Sequence, residues 1–128
     1  MSEEKTVFQK IIDKEIPSTT HYEDDVCIVI EDINPKAPIH LLVIPKKPIP
    51  KLSDASDEDK LILGHLMFVV GEMSRKFETE DSFNVVINNG ATAGQTVFHL
   101  HLHLLAGRDF SDLFPANQPI LFKASVVW

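Results

Sequence analysis

The run Phe98-His99-Leu100-His101-Leu102-His103-Leu104-Leu105 alternates imidazole and leucine, and strict alternation of this length is the pattern of a β-strand. Successive strand side chains project to opposite faces. The three imidazoles therefore share one face, rooted roughly 6.6 Å apart, and the leucines take the other. Burying an imidazole requires a polar partner for it. The leucine face already supplies a core, so the histidine face is expected to look into a site.

A chain of 128 residues, 44% hydrophobic and 24% charged, fits one globular domain with a core of its own. The formal net charge of −7 provides no basic stripe, which argues against a nucleic-acid partner. A small anionic ligand held by local donors is still compatible. Cys27 is the sole cysteine, so neither an intrachain disulfide nor a cysteine-based zinc finger is available. Residues 1–5 carry no apolar leader, and the apolar stretch 61–70 is interrupted by Gly64 and His65 and too short for a bilayer. The expected setting is the cytoplasm, with the nucleus open, and no membrane partner.

The rest of the pattern reads as an α+β domain on a mainly antiparallel sheet. Val7, Phe8, Ile11 and Ile12 are spaced for a short helix ending before Pro17. Residues 19–23 and 26–31, parted by Asp24-Asp25, read as a hairpin. Pro35 and Pro38 mark a turn before a strand over 40–44 that Pro45 closes. Ser56 is placed to cap a helix from about Asp57 to Phe77, with Asp57, Glu58 and Asp59 suited to its N-terminus. That helix is apolar around most of its circumference, which predicts burial on two sides, the second against another subunit or within its own core. Gly64 and Gly71 on one face would allow close approach. A strand over 83–87, a glycine-bearing loop over 88–96 and the histidine strand over 97–105 complete the series.

The loop Asn88-Asn89-Gly90-Ala91-Thr92-Ala93-Gly94-Gln95-Thr96 feeds directly into the histidines. Glycines let backbone N–H groups approach an anion, and Gln95 and Thr96 add side-chain donors. Asp32 is able to accept hydrogen bonds from ribose hydroxyls, with Ile33 packing on a base, although an Asp before a turn is ordinary turn chemistry. His40 opens a strand and reads equally as a structural histidine. Two chemistries suit three imidazoles on one face. One is zinc ligation through nitrogen with an open fourth position, Asp109 being the nearest downstream carboxylate. The other is nucleophilic attack on phosphorus by a neutral imidazole whose neighbours hold its tautomer. Cys27 reads as a small core residue, and His21 and His65 as structural or exposed.

His99-Leu100-His101-Leu102-His103-Leu104-Leu105 resembles the histidine triad (HIT) signature, His-φ-His-φ-His-φ-φ with φ apolar. Asn88-x-Gly90-x-x-x-Gly94-Gln95-Thr96-Val97-Phe98 and Ala106-Gly107-Arg108 are similar to the histidine triad nucleotide-binding (HINT) branch. So are Phe8-x-Lys10-Ile11-Ile12-x-Lys14-Glu15-Ile16-Pro17, Glu23-Asp24-Asp25 and His40-Leu41-Leu42-Val43-Ile44-Pro45-Lys46-Lys47. The resemblance runs from about residue 6 to 108 and leaves 109–128 as a C-terminal tail of a single HIT domain spanning 1–128.

The resemblance implies a HIT-like fold: a five-stranded sheet with one short N-terminal helix and one long helix, the sheet extended across a homodimer. It implies hydrolysis of purine nucleoside phosphoramidates and related adenylates at the α-phosphorus, with no cofactor and no metal. His101 would be the nucleophile, its other ring nitrogen donating to the carbonyl of His99. His103 would contact the leaving group as proton relay, and His99 and His40 would complete the orienting network. Asn88, Thr96 and the backbone at Gly94 and Thr96 would hold the phosphoryl group, and Gln95 belongs to the same nucleotide-binding loop. Asp32 would bind the ribose and Ile33 the purine.

Departures from the pattern are informative. Relatives with a Cys-x-x-Cys zinc site carry cysteines where this chain has Thr6 and Gln9, so that site is not expected. Position 93 is Ala where a second Gly is common. Retention of His103 favours hydrolysis over transfer. Two alternatives stay open: a dinucleoside polyphosphate hydrolase, and a nucleotide-binding regulatory module. Trp128 in the tail is placed either in a neighbouring pocket or on a strand packed at the sheet edge.

Overall fold

The computed structural model describes residues 4–113; Trp128 and the tail beyond residue 113 lie outside them. Helix α1 (Val7–Ile12) starts at Thr6, whose hydroxyl accepts the N–H of Gln9 at 3.1 Å, so these two positions form a helix cap. Strands β1 (Thr20–Glu23) and β2 (Cys27–Glu31) form the expected hairpin. Its turn is set by Asp24, whose Oδ1 accepts the N–H groups of Val26 and Cys27, both at 2.8 Å. Strand β3 (Ile39–Pro45) follows, then two short 3₁₀ turns.

Helix α2 (Lys60–Lys76) continues from the second turn. The Asp59 carboxylate ahead of it reaches back to the Ser56 N–H at 2.9 Å and takes the Lys47 ammonium at 2.6 Å. Strands β4 (Asn84–Val86) and β5 (Leu102–Ala106) complete one antiparallel sheet of order β1-β2-β3-β5-β4. The fold is the expected α+β arrangement, with one short and one long helix on a five-stranded sheet.

Side chains alternate across this sheet and build two cores. Val29, Leu41, Val43, Leu100, Leu102 and Leu104 face α2, meeting Leu66, Val69, Val70 and Met73. Each such buried side chain contributes about 1.5–3 kcal/mol by leaving water. Ile28, Ile30, Leu42 and Ile44 face the other way and meet Phe8 and Ile11 of α1.

The histidine run corrects one expectation. It is a strand only from Leu102, not from Val97. The register pairs Val43 with Leu102, so the next positions would oppose Pro45, which has no N–H to give to a ladder. Residues 95–100 are held instead by bonds to the proline-rich segment ahead of α2: Leu100 N–H donates to the Ile49 carbonyl at 2.7 Å, and Gln95 reaches the Pro50 carbonyl at 2.8 Å. His99, His101 and His40 are all buried, and His103 is half-buried.

The long helix buries one side only. Leu61 and Phe68 are 88% and 62% exposed and Met67 is exposed with them. A Cβ at Gly64 would meet nothing within 4 Å. Of the two ways sketched for covering the second side, burial in the chain's own core is therefore not what these residues do.

Candidate active site

Every imidazole on the histidine face has a partner, and the partners fix which ring nitrogen carries the proton. His99, 1% exposed, places Nε2 at 2.7 Å from the Pro45 carbonyl, which can only accept, so Nε2 is the protonated nitrogen. The His99 carbonyl in turn lies 2.7 Å from Nδ1 of His101. His101 therefore donates from Nδ1 and keeps a bare lone pair on Nε2. Phe8 packs edge-on against His101 with ring centroids 4.8 Å apart, and against His99 at 6.4 Å.

The second half of the site is set by a main-chain group. The N–H of Lys36 donates to His40 Nδ1 at 3.0 Å, so the proton of neutral His40 sits on Nε2. That Nε2–H faces Nδ1 of His103 at 2.9 Å and Oδ2 of Asp32 at 3.3 Å. His103 Nδ1 then accepts, and its proton resides on Nε2. One imidazole of the adjacent pair, ring centroids 4.9 Å apart, thus presents a lone pair and the other an N–H.

Burial keeps these rings neutral. It lowers the pKa of His99, His101 and His40, opposed at His99 and His101 by their carbonyl partners and at His40 by the Asp32 carboxylate. His103 is driven furthest, to about 4, by burial first and then by the His101 and His40 rings beside it.

Asp32 is anchored by the Asn34 N–H, which its Oδ1 accepts at 2.8 Å. It lines a cavity of about 360 Å³ together with Ile11, Pro17, Ile30, Ile33 and Pro35. Ile33 is fully exposed at the lip of this cavity. A neighbouring hollow of about 420 Å³ shares Ile11, Pro17 and Ser18 and is walled by Lys14 and Glu15; no imidazole lines either space, and the larger hollow also lacks Asp32.

The glycine loop differs in detail from its expected form. Gln95 does not offer its side chain outward. It is 2% exposed; its Oε1 accepts the Gly90 N–H at 2.8 Å, and its Nε2 donates to Pro50 and Val97 carbonyls at 2.8 and 3.0 Å. The N–H of Gly94 is also spent, on the Ala91 carbonyl at 3.0 Å. Thr96 is exposed, and its N–H makes no hydrogen bond among the described residues. Asn88 bonds the Ala93 carbonyl at 2.9 Å. Gly90 and Gly94 sit at φ 97° and 98°, a region that favours glycine, and a Cβ on Gly94 would come within 3.3 Å of Asn88 Nδ2.

Three contributors escaped the reading of residue types. Lys36 acts through its main chain, and Pro45 through a carbonyl, and neither leaves a side-chain signature. Phe8 was legible only within the matched N-terminal motif. One ligand atom each from Asp32, His40 and His103 also lie within 4.8 Å of one another. A cation there would have to replace the proton that links the two imidazoles.

Known proteins share both the sequence and this architecture. The model of the HIT domain family matches residues 13–110. An uncharacterised HIT-like protein of Synechocystis sp. is 56% identical over 108 residues, 84% of this chain and 95% of its own length. A HIT family hydrolase from Clostridium thermocellum superposes with TM-score 0.81 at 39% identity, covering 94% of this chain and 99% of that one. The histidine triad nucleotide-binding protein from Candida albicans gives TM-score 0.75 at 33% identity, over 82% and 76% of the two chains. The chain belongs to the HIT domain family.

Proposed function

We propose that this protein hydrolyses purine nucleoside phosphoramidates and related adenylates through a covalent nucleotidyl-histidine on His101. The observation that carries the reading is the bond from His101 Nδ1 to the His99 carbonyl at 2.7 Å, which leaves Nε2 as an unprotonated nucleophile. The hydrolase and nucleotide-binding relatives described above support the class of chemistry.

His101 Nε2 forms a bond to the α-phosphorus as the bond from phosphorus to the leaving group breaks. His103, with its proton on Nε2, delivers a proton to the leaving nitrogen, and the Asp32–His40–His103 chain takes one up from solvent in its place. Water then cleaves the phosphorus–His101 bond and regenerates the ring. Thr96 and Asn88 steady the phosphoryl oxygens as charge moves onto them. Asp32 takes the ribose hydroxyls, and Ile33 covers the base over the cavity between α1 and β2. In this reading Gln95 shapes the loop, and His99 and His40 position the two reacting rings.

The same reading makes the protein a homodimer. The exposed Leu61, Met67 and Phe68 of α2 and the edge strand β4 are the surfaces a second copy would cover, joining the two sheets.

The test is steady-state hydrolysis of a fluorogenic adenosine phosphoramidate with and without a chelator. Turnover that ignores the chelator and disappears in His101→Ala is expected. Chelator-sensitive turnover, or full activity in the variant, would overturn the proposal.

A further inference from the structure

On the sheet face opposite the histidines, the β1–β2 turn and α2 bring three metal-ligating side chains together. His65 Nε2 lies 2.6 Å from Asp24 Oδ2, and the Cys27 thiol completes a set whose ligand atoms all lie within 4.8 Å of one another. Cys27 is fully buried in the α2-facing core, while His65 and Asp24 keep side-chain exposures of 33% and 24%, which leaves a way in from solvent. The sequence reading gave neither Cys27 nor His65 a ligand role, because 38 residues separate them and only the fold joins them.

The hydrogen bonds around Asp24 show what the cluster lacks. Its Oδ1 already satisfies the Val26 and Cys27 N–H groups, and its Oδ2 takes the Tyr22 hydroxyl at 2.7 Å. The Cys27 thiol and the His65 ring add two further protons, both aimed at the same carboxylate. Those two protons sit on sulfur and imidazole nitrogen, the atoms that bind borderline-soft cations. A single cation in their place would be bound by sulfur, nitrogen and oxygen at once.

We propose that Asp24, Cys27 and His65 form a binding site for a borderline-soft divalent cation of the Zn²⁺ class, tying the β1–β2 hairpin to α2. Binding sends the Cys27 proton to solvent and moves the His65 ring proton from Nε2 to Nδ1. Thiolate, imidazole lone pair and carboxylate then meet the metal, with water or the Tyr22 hydroxyl in the fourth position. Because sulfur binds the metal as thiolate, one proton is released per metal bound. The other charges felt in the cluster are Glu72, acting at Tyr22, and Lys46, acting at Cys27.

Co²⁺ titration of the full chain, with a reductant that is not a thiol, tests this directly. Because Cys27 is the sole cysteine, a sulfur-to-cobalt charge-transfer band in the near ultraviolet reports on this site and not on the histidine face. One equivalent of Co²⁺ is expected to produce the band in the wild type and in His103→Ala. Cys27→Ser should abolish it, and His65→Ala, at a partly exposed helix position that leaves the core intact, should weaken binding at least tenfold. Absence of the band in the wild type, or a band of unchanged affinity in His65→Ala, would overturn the proposal.

Discussion

The two faces of the sheet are both buried, and they are buried by different chemistry. Against α2, Val29, Leu41, Val43, Leu102 and Leu104 meet an apolar helix side, and nothing but shape has to agree. Against α1, aliphatic residues share the surface with four imidazoles, each tied to a carbonyl, a main-chain N–H or another ring. The difference teaches that one face supplies stability in bulk, while the other spends burial on fixing protons. A buried imidazole that must stay hydrogen-bonded and neutral has one orientation and one tautomer available.

The sharpest way to break this contrast is on the histidine face. His101→Ala should lower kcat/KM by about 10⁴-fold or more while leaving the thermal midpoint nearly in place, as steady-state kinetics beside a melt would show. His40→Ala removes the group that sets the His103 tautomer. It should lower kcat about 10²-fold, with KM changing less, because in the proposed reaction the ring it orients delivers a proton. A KM-only effect would place His40 in binding instead.

The α2 face should answer in the opposite currency. Leu104→Ala, at a fully buried position, should cost about 2–5 kcal/mol in chemical denaturation and leave kcat per folded molecule unchanged. If it reduced kcat as much as His40→Ala does, the two faces would not be separable.

Above the range in which the carboxylates titrate, acid should act through the histidine face. His103 lies near 4 in the folded protein against about 6.5 in an unfolded chain, so the unfolded state binds more protons between those values. Stability is therefore full above about pH 6.5 and is lost as pH falls toward about 4. Melts across that window should show a steeper decline in the wild type than in His103→Gln. The mildest effect is expected on the outer side of α2, where Phe68→Glu should convert a two-copy sedimentation profile to one copy while leaving the fold intact.

How much of this was legible in the sequence follows the same division. Element types were readable because periodicity and turn chemistry are local, as at Asp24-Asp25 and at Ser56. The extent of the histidine strand was not, because Pro45 ends it from the neighbouring strand across a gap of more than 50 residues. The rings that share a site were visible as an alternation, yet their proton positions were set by the Lys36 N–H and the Pro45 carbonyl, main-chain groups that every residue type carries. Gln95 looked like a ligand donor by type, and the fold spends its amide on closing its own loop.

The central claim is that His101, and no other group, bonds to phosphorus. Rapid mixing with an adenosine phosphoramidate, an alkaline denaturing quench that preserves phosphorus–nitrogen bonds, and peptide mass analysis tests it most directly. The account predicts one nucleotidyl adduct, on the peptide bearing His101, absent in His101→Ala. An adduct on His99 or His103, or full turnover with no adduct at any time, would contradict it.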